Sequence, residues 1–183
     1  MKIVRILIAF LFIATSTPNL VLAQGWDDDS HTLTLTVNEI ANTVIRPVAN
    51  NAVLTLSASE EGGSAYVANV DSSTWLNYTC VKTPAGSNYR VYAQITSGTL
   101  PGGVNLQLTT LACATGSGAL GSSTGVINLS GSTQDVVTGI GSSQTARGAN
   151  FGHRLKYQLV LTNTAALDFD ESVTLTLTYT IAN

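Results

Sequence analysis

The stretch Ser172 to Ile181 reads S-V-T-L-T-L-T-Y-T-I and places apolar and hydroxyl side chains in alternation. Because successive side chains of a β-strand point to opposite faces, this stretch would present one apolar face and one hydroxyl-bearing face. The same alternation occurs near the start of the chain, where Leu33, Leu35 and Val37 are separated by threonines. Such strands form antiparallel sheets with one face in a core and the other in water.

Short segments of strand character follow one another along the chain at roughly 8–12-residue spacing, separated by turns rich in Gly, Pro and Asn. After residue 23, no window shows the apolar spacing of a helix. We therefore expect an all-β protein, an antiparallel immunoglobulin-like or jelly-roll β-sandwich of about eight to ten strands. It would form a single domain over residues 31–183, with the first strand at His31–Val37.

The N-terminus has the form of a secretory signal peptide. Lys2 and Arg5 precede an apolar stretch from Ile6 to Ile13, and small side chains lead to a cleavage site after Ala23. The apolar stretch is shorter than the roughly 20 residues that span a membrane. We expect residues 1–23 to be removed, and the mature protein to be secreted through the periplasm to the cell surface or beyond, without membrane insertion.

The mature chain would begin with a flexible acidic leader, residues 24–30, that contains Asp27, Asp28 and Asp29. Without Lys2 and Arg5, the eight basic residues fall to six, against eleven acidic ones, which gives a net charge of −5. This balance argues against nucleic acid as a partner, because binding a phosphate backbone requires a basic surface.

The two cysteines, Cys80 and Cys113, are expected to form a disulfide, which is the usual state of a cysteine pair in an exported protein. In the chain-entropy model, a loop of this size would contribute roughly 4 kcal/mol to stability. Metal-bound thiols are the weaker interpretation, because no histidine or further cysteine lies at ligand spacing.

No convergent set of titratable side chains indicates catalysis, so we expect a protein that is not an enzyme, with no catalytic residue, cofactor or metal. Whether the acidic turn from Asp168 to Glu171 binds calcium is left open. Calcium needs six or more oxygen ligands, and the turn supplies only part of such a set. The simpler interpretation is an acidic turn that ends a hairpin.

Trp75 and Tyr92 are the candidate ligand-binding aromatics, because exposed rings on a sheet can stack on the sugars of surface glycans. Leu76, Tyr78 and Cys80 share one face of their strand. If that face points inward, Trp75 points outward. The alternative is that Trp75 packs in the core beside the cysteines.

The terminal T-L-T-Y-T-I, together with the export signal, the Thr/Ser/Gly-rich sandwich and the cysteine pair, resembles bacterial pilin-like domains, especially the spore coat protein U or archaic chaperone–usher pilin group. Those chains also end in an alternating Thr/Val/Tyr strand. They place a cysteine early in the mature chain, whereas the first here is Cys80. The resemblance, carried mainly by residues 172–181, implies a sandwich that lacks one strand and accepts a neighbour's N-terminal segment at its open edge.

Under that resemblance, His31–Val37 is the candidate donor strand. Leu33, Leu35 and Val37 would be inserted into another copy or a related subunit. The alternative is that this segment pairs within its own domain. The function expected is that of a structural or adhesive surface protein, a pilin-like subunit of a fimbrium. The alternative is an extracellular carbohydrate- or ligand-binding module.

Overall fold

The computed structural model of the chain describes residues 33–47, 52–57, 65–167 and 172–183. The signal peptide and leader expected over residues 1–30 lie outside these ranges, as does the acidic turn 168–171. Backbone packing groups residues 38–183 into one unit, distinct from residues 1–37. Within the described ranges, no helix has the length and apolar character needed to cross a membrane.

Thirteen strands and one short 3₁₀ helix, Thr164–Ala166, make up the described secondary structure. Five of the strands are pairings of two residues each, which leaves eight longer ones. In chain order they are β1 (Ile40–Arg46), β2 (Leu56–Ser57), β3 (Val67–Ala68), β4 (Val70–Val81), β5 (Tyr89–Ser97), β6 (Val104–Cys113), β7 (Ser117–Gly118), β8 (Ser122–Ser123), β9 (Val126–Leu129), β10 (Gln134–Ile140), β11 (Ser143–Gln144), β12 (His153–Leu161) and β13 (Thr176–Ala182).

The strands form two main antiparallel sheets, which confirms the all-β sandwich. The first sheet has the order β7-β11-β4-β12-β6-β9, and β1 also pairs with β4 in it. The second sheet has the order β13-β5-β10-β8. Strands β2 and β3 pair separately as a small ribbon.

The core lies between the inner faces of the two sheets and follows the two-residue period of the strands. Along β6, buried and half-buried positions alternate from Val104 to Thr110, as the sequence predicts. Leu76 of β4, Val91 of β5, Leu108 of β6 and Leu155 of β12 are fully buried. Removing such side chains from water stabilises the fold by about 1.5–3 kcal/mol each.

The last strand is shorter than the sequence pattern indicates. Pairing with β5 starts at Thr176, four residues after Ser172, and continues to Ala182. The alternation is confirmed, because Leu177 and Tyr179 are half-buried against the core whereas Thr176 is exposed.

The prediction of a strand at His31–Val37 is wrong for the residues of this segment that the structure describes. Residues 33–39 belong to no strand, and the first strand is β1. The physical reason is that alternation specifies which face of a strand would be apolar, but a strand also needs a neighbour to accept its backbone hydrogen bonds.

The predicted disulfide is also wrong, because Cys80 and Cys113 are free thiols. Cys113 lies opposite His153 on β12, and His153 lies opposite Leu76 on β4. Two strand spacings therefore separate Cys113 from Leu76, roughly 10 Å, and Cys80 is four residues further along β4, roughly 13 Å more. A disulfide needs Cα atoms about 4.4–6.8 Å apart. Burial raises the pKa of both thiols.

Candidate functional site

One side of the sandwich ends in two edge strands, β1 and β13. Among the described strands, β1 pairs only with β4, and β13 pairs only with β5. The two edges approach each other, with Cα atoms within 8 Å. Each edge strand presents backbone N–H and C=O groups that a further strand can pair with. Leu177, Tyr179 and Ile181 of β13 are only half-buried behind this edge. We refer to β1 and β13 together as the open edge.

The candidate donor residues are among the most exposed apolar side chains of the described chain. Leu33, Leu35 and Val37 are 72%, 83% and 79% exposed. Exposure of several large apolar side chains close together is uncommon on a soluble monomer and marks surfaces that bind partners.

The backbone that follows the donor residues is anchored at Glu39. The Tyr89 hydroxyl of β5 donates a hydrogen bond to the Glu39 carboxylate. This bond, together with burial, raises the pKa of Tyr89 to about 12. The folded unit starts at Asn38, so the anchor lies directly after the exposed segment.

Trp75 and Tyr92 lie on opposite outer faces of the sandwich and cannot line a single binding site. Leu76 points inward, so Trp75 lies on the outer face of the first sheet. Tyr92 lies on the outer face of the second sheet, because its two neighbours along β5, Val91 and Ala93, are both fully buried in the core. Each aromatic ring has an arginine guanidinium above it, 5.7 Å from the centroid for Trp75 and 5.9 Å for Tyr92.

Trp75 occupies the middle of a row of three side chains that crosses the first sheet. The register places Arg46 of β1 opposite Trp75 of β4, and Trp75 opposite Arg154 of β12. Arg154 is held by Ser72, whose carbonyl oxygen accepts from Nε at 2.7 Å and whose hydroxyl oxygen accepts from a terminal guanidinium nitrogen at 2.8 Å. The other arginine of the row, Arg46, lines a cavity beside it.

Beside this row lies a cavity of about 400 Å³ whose cationic residues are Arg46 and Arg147. The Nε atom of Arg46 is buried and has no hydrogen-bond partner among the residues that the structure describes. Within the described residues, the one salt bridge joins Arg90 and Asp135, so neither cavity arginine has an ion pair there. A buried cationic donor without a partner is costly, and a carboxylate supplies the acceptor and the charge that it lacks.

The loop that carries Arg147 is fixed to the outer face of the sheet by Asn77 of β4. The Asn77 side-chain oxygen accepts from the Gly148 N–H at 3.0 Å, and its side-chain nitrogen donates to the Phe151 carbonyl at 2.6 Å. Ala146, just before Arg147, has a φ of +70°, which a residue with a side chain seldom adopts. The loop therefore holds Arg147 in place over β4.

Four of the six basic residues in 24–183 gather on this side of the first sheet. Lys156 of β12 joins the three arginines, because its neighbours Leu155 and Tyr157 point into the core. We call this surface the cationic face; it consists of Arg46, Arg147, Arg154 and Lys156. Sequence reasoning singled out Trp75 but missed these residues, since only the strand register and the 145–152 loop bring them together.

His153, which lies directly before Arg154 in the chain, belongs to the interior instead. It is buried, with Nδ1 2.9 Å from the Leu111 carbonyl oxygen and Nε2 3.0 Å from the Tyr78 hydroxyl. The carbonyl can only accept, so Nδ1 carries the hydrogen. The Tyr78 hydroxyl also bonds to the Leu120 carbonyl. Burial lowers the pKa of His153 and raises that of Tyr78. The network joins β4, β6 and β12 in the interior of the sandwich.

The described residues contain no group of three or more His, Cys, Asp or Glu side chains placed to hold a metal ion. Comparisons with known proteins found no match for the chain among family models, curated proteins or solved structures.

Proposed function

We propose that the protein is an exported structural surface subunit that assembles by β-strand complementation. Residues 33–37 of one copy add as a strand to the open edge of the next copy, in the manner of the pilin-like subunits of a fimbrium. The observation that carries this proposal is the exposure of Leu33, Leu35 and Val37 in a segment that has strand alternation but no strand partner.

The donor segment and the open edge have matching lengths and chemistry. Five residues extend over roughly 17 Å as a strand, and β1 and β13 each have seven residues. The apolar side chains of the donor would cover the half-buried residues of β13, while its threonines would face water. Addition of a strand at a sheet edge obtains affinity from backbone hydrogen bonds and specificity from alternate side chains.

Stable association requires both the backbone hydrogen bonds and the burial of the apolar side chains. Burying three Leu or Val side chains is worth about 1.5–3 kcal/mol each. Association costs an estimated 4–15 kcal/mol in lost motion, so the side chains alone give weak binding at best. Backbone hydrogen bonds add about 0.5–1.5 kcal/mol each. Stable multimers therefore require the strand ladder to form along most of the donor.

The backbone between the donor segment and β1 supports exchange between copies over a hairpin within one copy. Only Asn38 and Glu39 separate Val37 from β1. A two-residue hairpin needs a positive φ at its first central residue. Among the described residues that carry side chains, only Ala146 and Asn150 have positive φ. The junction therefore does not have the conformation of a tight turn back onto β1.

The test compares two triple variants of the purified chain by size-exclusion chromatography and unheated gel electrophoresis. Replacing Leu33, Leu35 and Val37 with Asn should abolish concentration-dependent multimers, because it removes the face that inserts. The matched control replaces Thr32, Thr34 and Thr36 with Asn in the same segment and should assemble like the wild type. A wild-type chain that stays monomeric at every concentration, or an apolar-face variant that assembles normally, would contradict the proposal.

A second candidate, a glycan-binding module, is favoured by one observation, the position of Trp75 on the outer face beside the cavity that Arg46 and Arg147 line. Binding to surface glycans that is lost in Trp75→Ala, in a chain that never forms multimers, would support it instead.

A further inference from the structure

The cationic face lacks carboxylate partners within the described chain. The structure describes three acidic residues, and each of them has a partner outside the cationic face. Glu39 accepts from Tyr89, Asp135 pairs with Arg90, and Asp71 accepts from the Ser73 hydroxyl at 2.9 Å. Arg46 and Arg147 are therefore positioned to receive an anionic group from another source.

We propose that the acidic leader of a neighbouring copy, Asp27 to Asp29, docks on the cationic face of the copy whose open edge its strand completes. This inference rests on the proposed function and specifies how the donor is recognised. The leader lies directly before the donor segment in the chain. Insertion of the donor would bring the leader to the sheet surface at a high effective concentration, because only a few residues link the two.

The direction of the donor strand follows from the charges at the two ends of β1. Antiparallel pairing that sets Val37 opposite Ala41 places Leu33 opposite Ile45, whose partner on β4, Leu76, points into the core, and Asp29 then lies just past Arg46. Parallel pairing would bring the leader to the other end of β1, where Glu39 would repel it. Charge complementarity therefore favours the antiparallel arrangement.

Among the described residues, the other end of β1 also offers no unused cation. Lys82 follows the residue that pairs with Ile40, and its ammonium group already donates to the Gly86 carbonyl oxygen at 2.6 Å. At the Arg46 end, by contrast, the buried Nε has no partner within the described part of the chain.

Contact between the leader and the cationic face would fix the register and direction of the donor strand, which its own sequence leaves ambiguous. A segment in which Leu and Thr simply alternate can slip by two residues along the edge and keep its apolar face inward. It can also be inserted in either direction with similar side-chain burial. Charged groups at one end supply the missing information, since they fix direction and register and speed encounter.

The experiment measures the assembly rate of the full chain by light scattering at low and high salt. Changing Asp27, Asp28 and Asp29 to Asn should slow assembly by about tenfold at low ionic strength, because charge pairs at the rim of an interface act mainly on the association rate. The difference should shrink at about 1 M salt, where charges are screened beyond about 3 Å. The matched control, Asp168→Asn with Asp170→Asn and Glu171→Gln, removes equal charge elsewhere and should leave the salt dependence unchanged.

A charge exchange makes the test specific. The variant Arg46→Glu with Arg147→Glu should assemble slowly with wild-type leaders, and changing Asp27, Asp28 and Asp29 to Lys in the same chain should restore the rate. Wild-type rates for the leader variant, or no restoration in the exchanged chain, would overturn the docking. The proposed function would survive that result as long as the apolar-face variant still fails to assemble, so the two failures are distinguishable.

A third outcome concerns a different occupant of the cationic face. Binding of an oligogalacturonate to the purified chain that is lost in Arg46→Glu with Arg147→Glu, together with normal assembly of the leader variant, would show that the face serves an acidic glycan. That result would also overturn the inference.

Discussion

The pentapeptide T-L-T-L-T occurs twice in this chain, at 32–36 and at 174–178, and the two copies have different structures. In the second copy, Leu175 and Leu177 are half-buried, and from Thr176 onward the backbone pairs with β5. In the first copy, Leu33 and Leu35 are 72% and 83% exposed and belong to no strand. Identical local sequence therefore does not determine whether a segment forms a strand. The presence of a neighbouring strand determines it.

The proposed assembly gives the first copy the environment that the second copy already has. A donor strand at the open edge would acquire a ladder partner and an apolar surface at the same time, as β13 does from β5 and the core. The comparison can therefore be tested by asking whether the two copies differ in the monomer and become alike in the multimer.

Hydrogen exchange should show the largest difference between the two copies. In the dissociated chain, amides of residues 33–37 should exchange near the intrinsic rate, whereas those of β13 should be slowed on the order of 10³-fold by their ladder bonds. In multimers both segments should be protected. Protection of 33–37 in a chain shown to be monomeric would break the comparison, because the segment would then pair within its own copy.

Truncation of one leucine in each copy should give the next largest difference. Leu177→Ala should lower the free energy of unfolding by about 2 kcal/mol, near the lower limit for leucine because the side chain is half-buried. Leu35→Ala should change it by less than about 0.5 kcal/mol, as is usual for exposed sites. Urea unfolding at a concentration where the chain is monomeric measures both. Equal losses would mean that Leu35 is packed in the monomer.

The smallest effect concerns a contact that β13 has across the sandwich. The hydroxyls of Tyr179 on β13 and Tyr157 on β12 lie 2.7 Å apart. Burial raises the pKa of Tyr157 to about 12 and raises that of Tyr179 well above 10.0. Between pH 10 and about 12, the unfolded chain loses these protons while the folded chain keeps them. The folded state then binds more protons, and stability falls as pH rises.

Tyr179→Phe should flatten that alkaline loss and cost about 1 kcal/mol at neutral pH, the typical value of one hydrogen bond. The measurement is the urea midpoint at pH 7, 9, 10 and 11, with Tyr66→Phe as the control, because Tyr66 is exposed. If the urea midpoint of Tyr179→Phe falls with pH as steeply as that of the wild type, the Tyr157–Tyr179 pair is not the cause of the alkaline loss of stability.

Much of the fold could be predicted from alternation alone. The inward face of β4, with Leu76, Tyr78 and Cys80, and the alternating burial of β6 follow the two-residue period that the sequence shows. The disulfide could not be excluded from sequence, because chain separation does not reveal that β12 lies between the strands of the two cysteines.

The candidate site was less accessible to sequence reasoning than the fold. Leu33, Leu35 and Val37 could be selected from their pattern, but their exposure is a tertiary fact. Arg46 and Arg147 are about a hundred residues apart in the chain and share a cavity only because β1 pairs with β4 and the Asn77 side chain holds the loop that carries Arg147.

The sequence by itself determined which faces of its segments are apolar, since side-chain alternation is a local property of an extended backbone. Only the tertiary structure decided which of those segments became strands, which thiols remained apart and which cations gathered on one face. Those outcomes depend on hydrogen-bond partners and strand order, and residues far apart in the chain supply both.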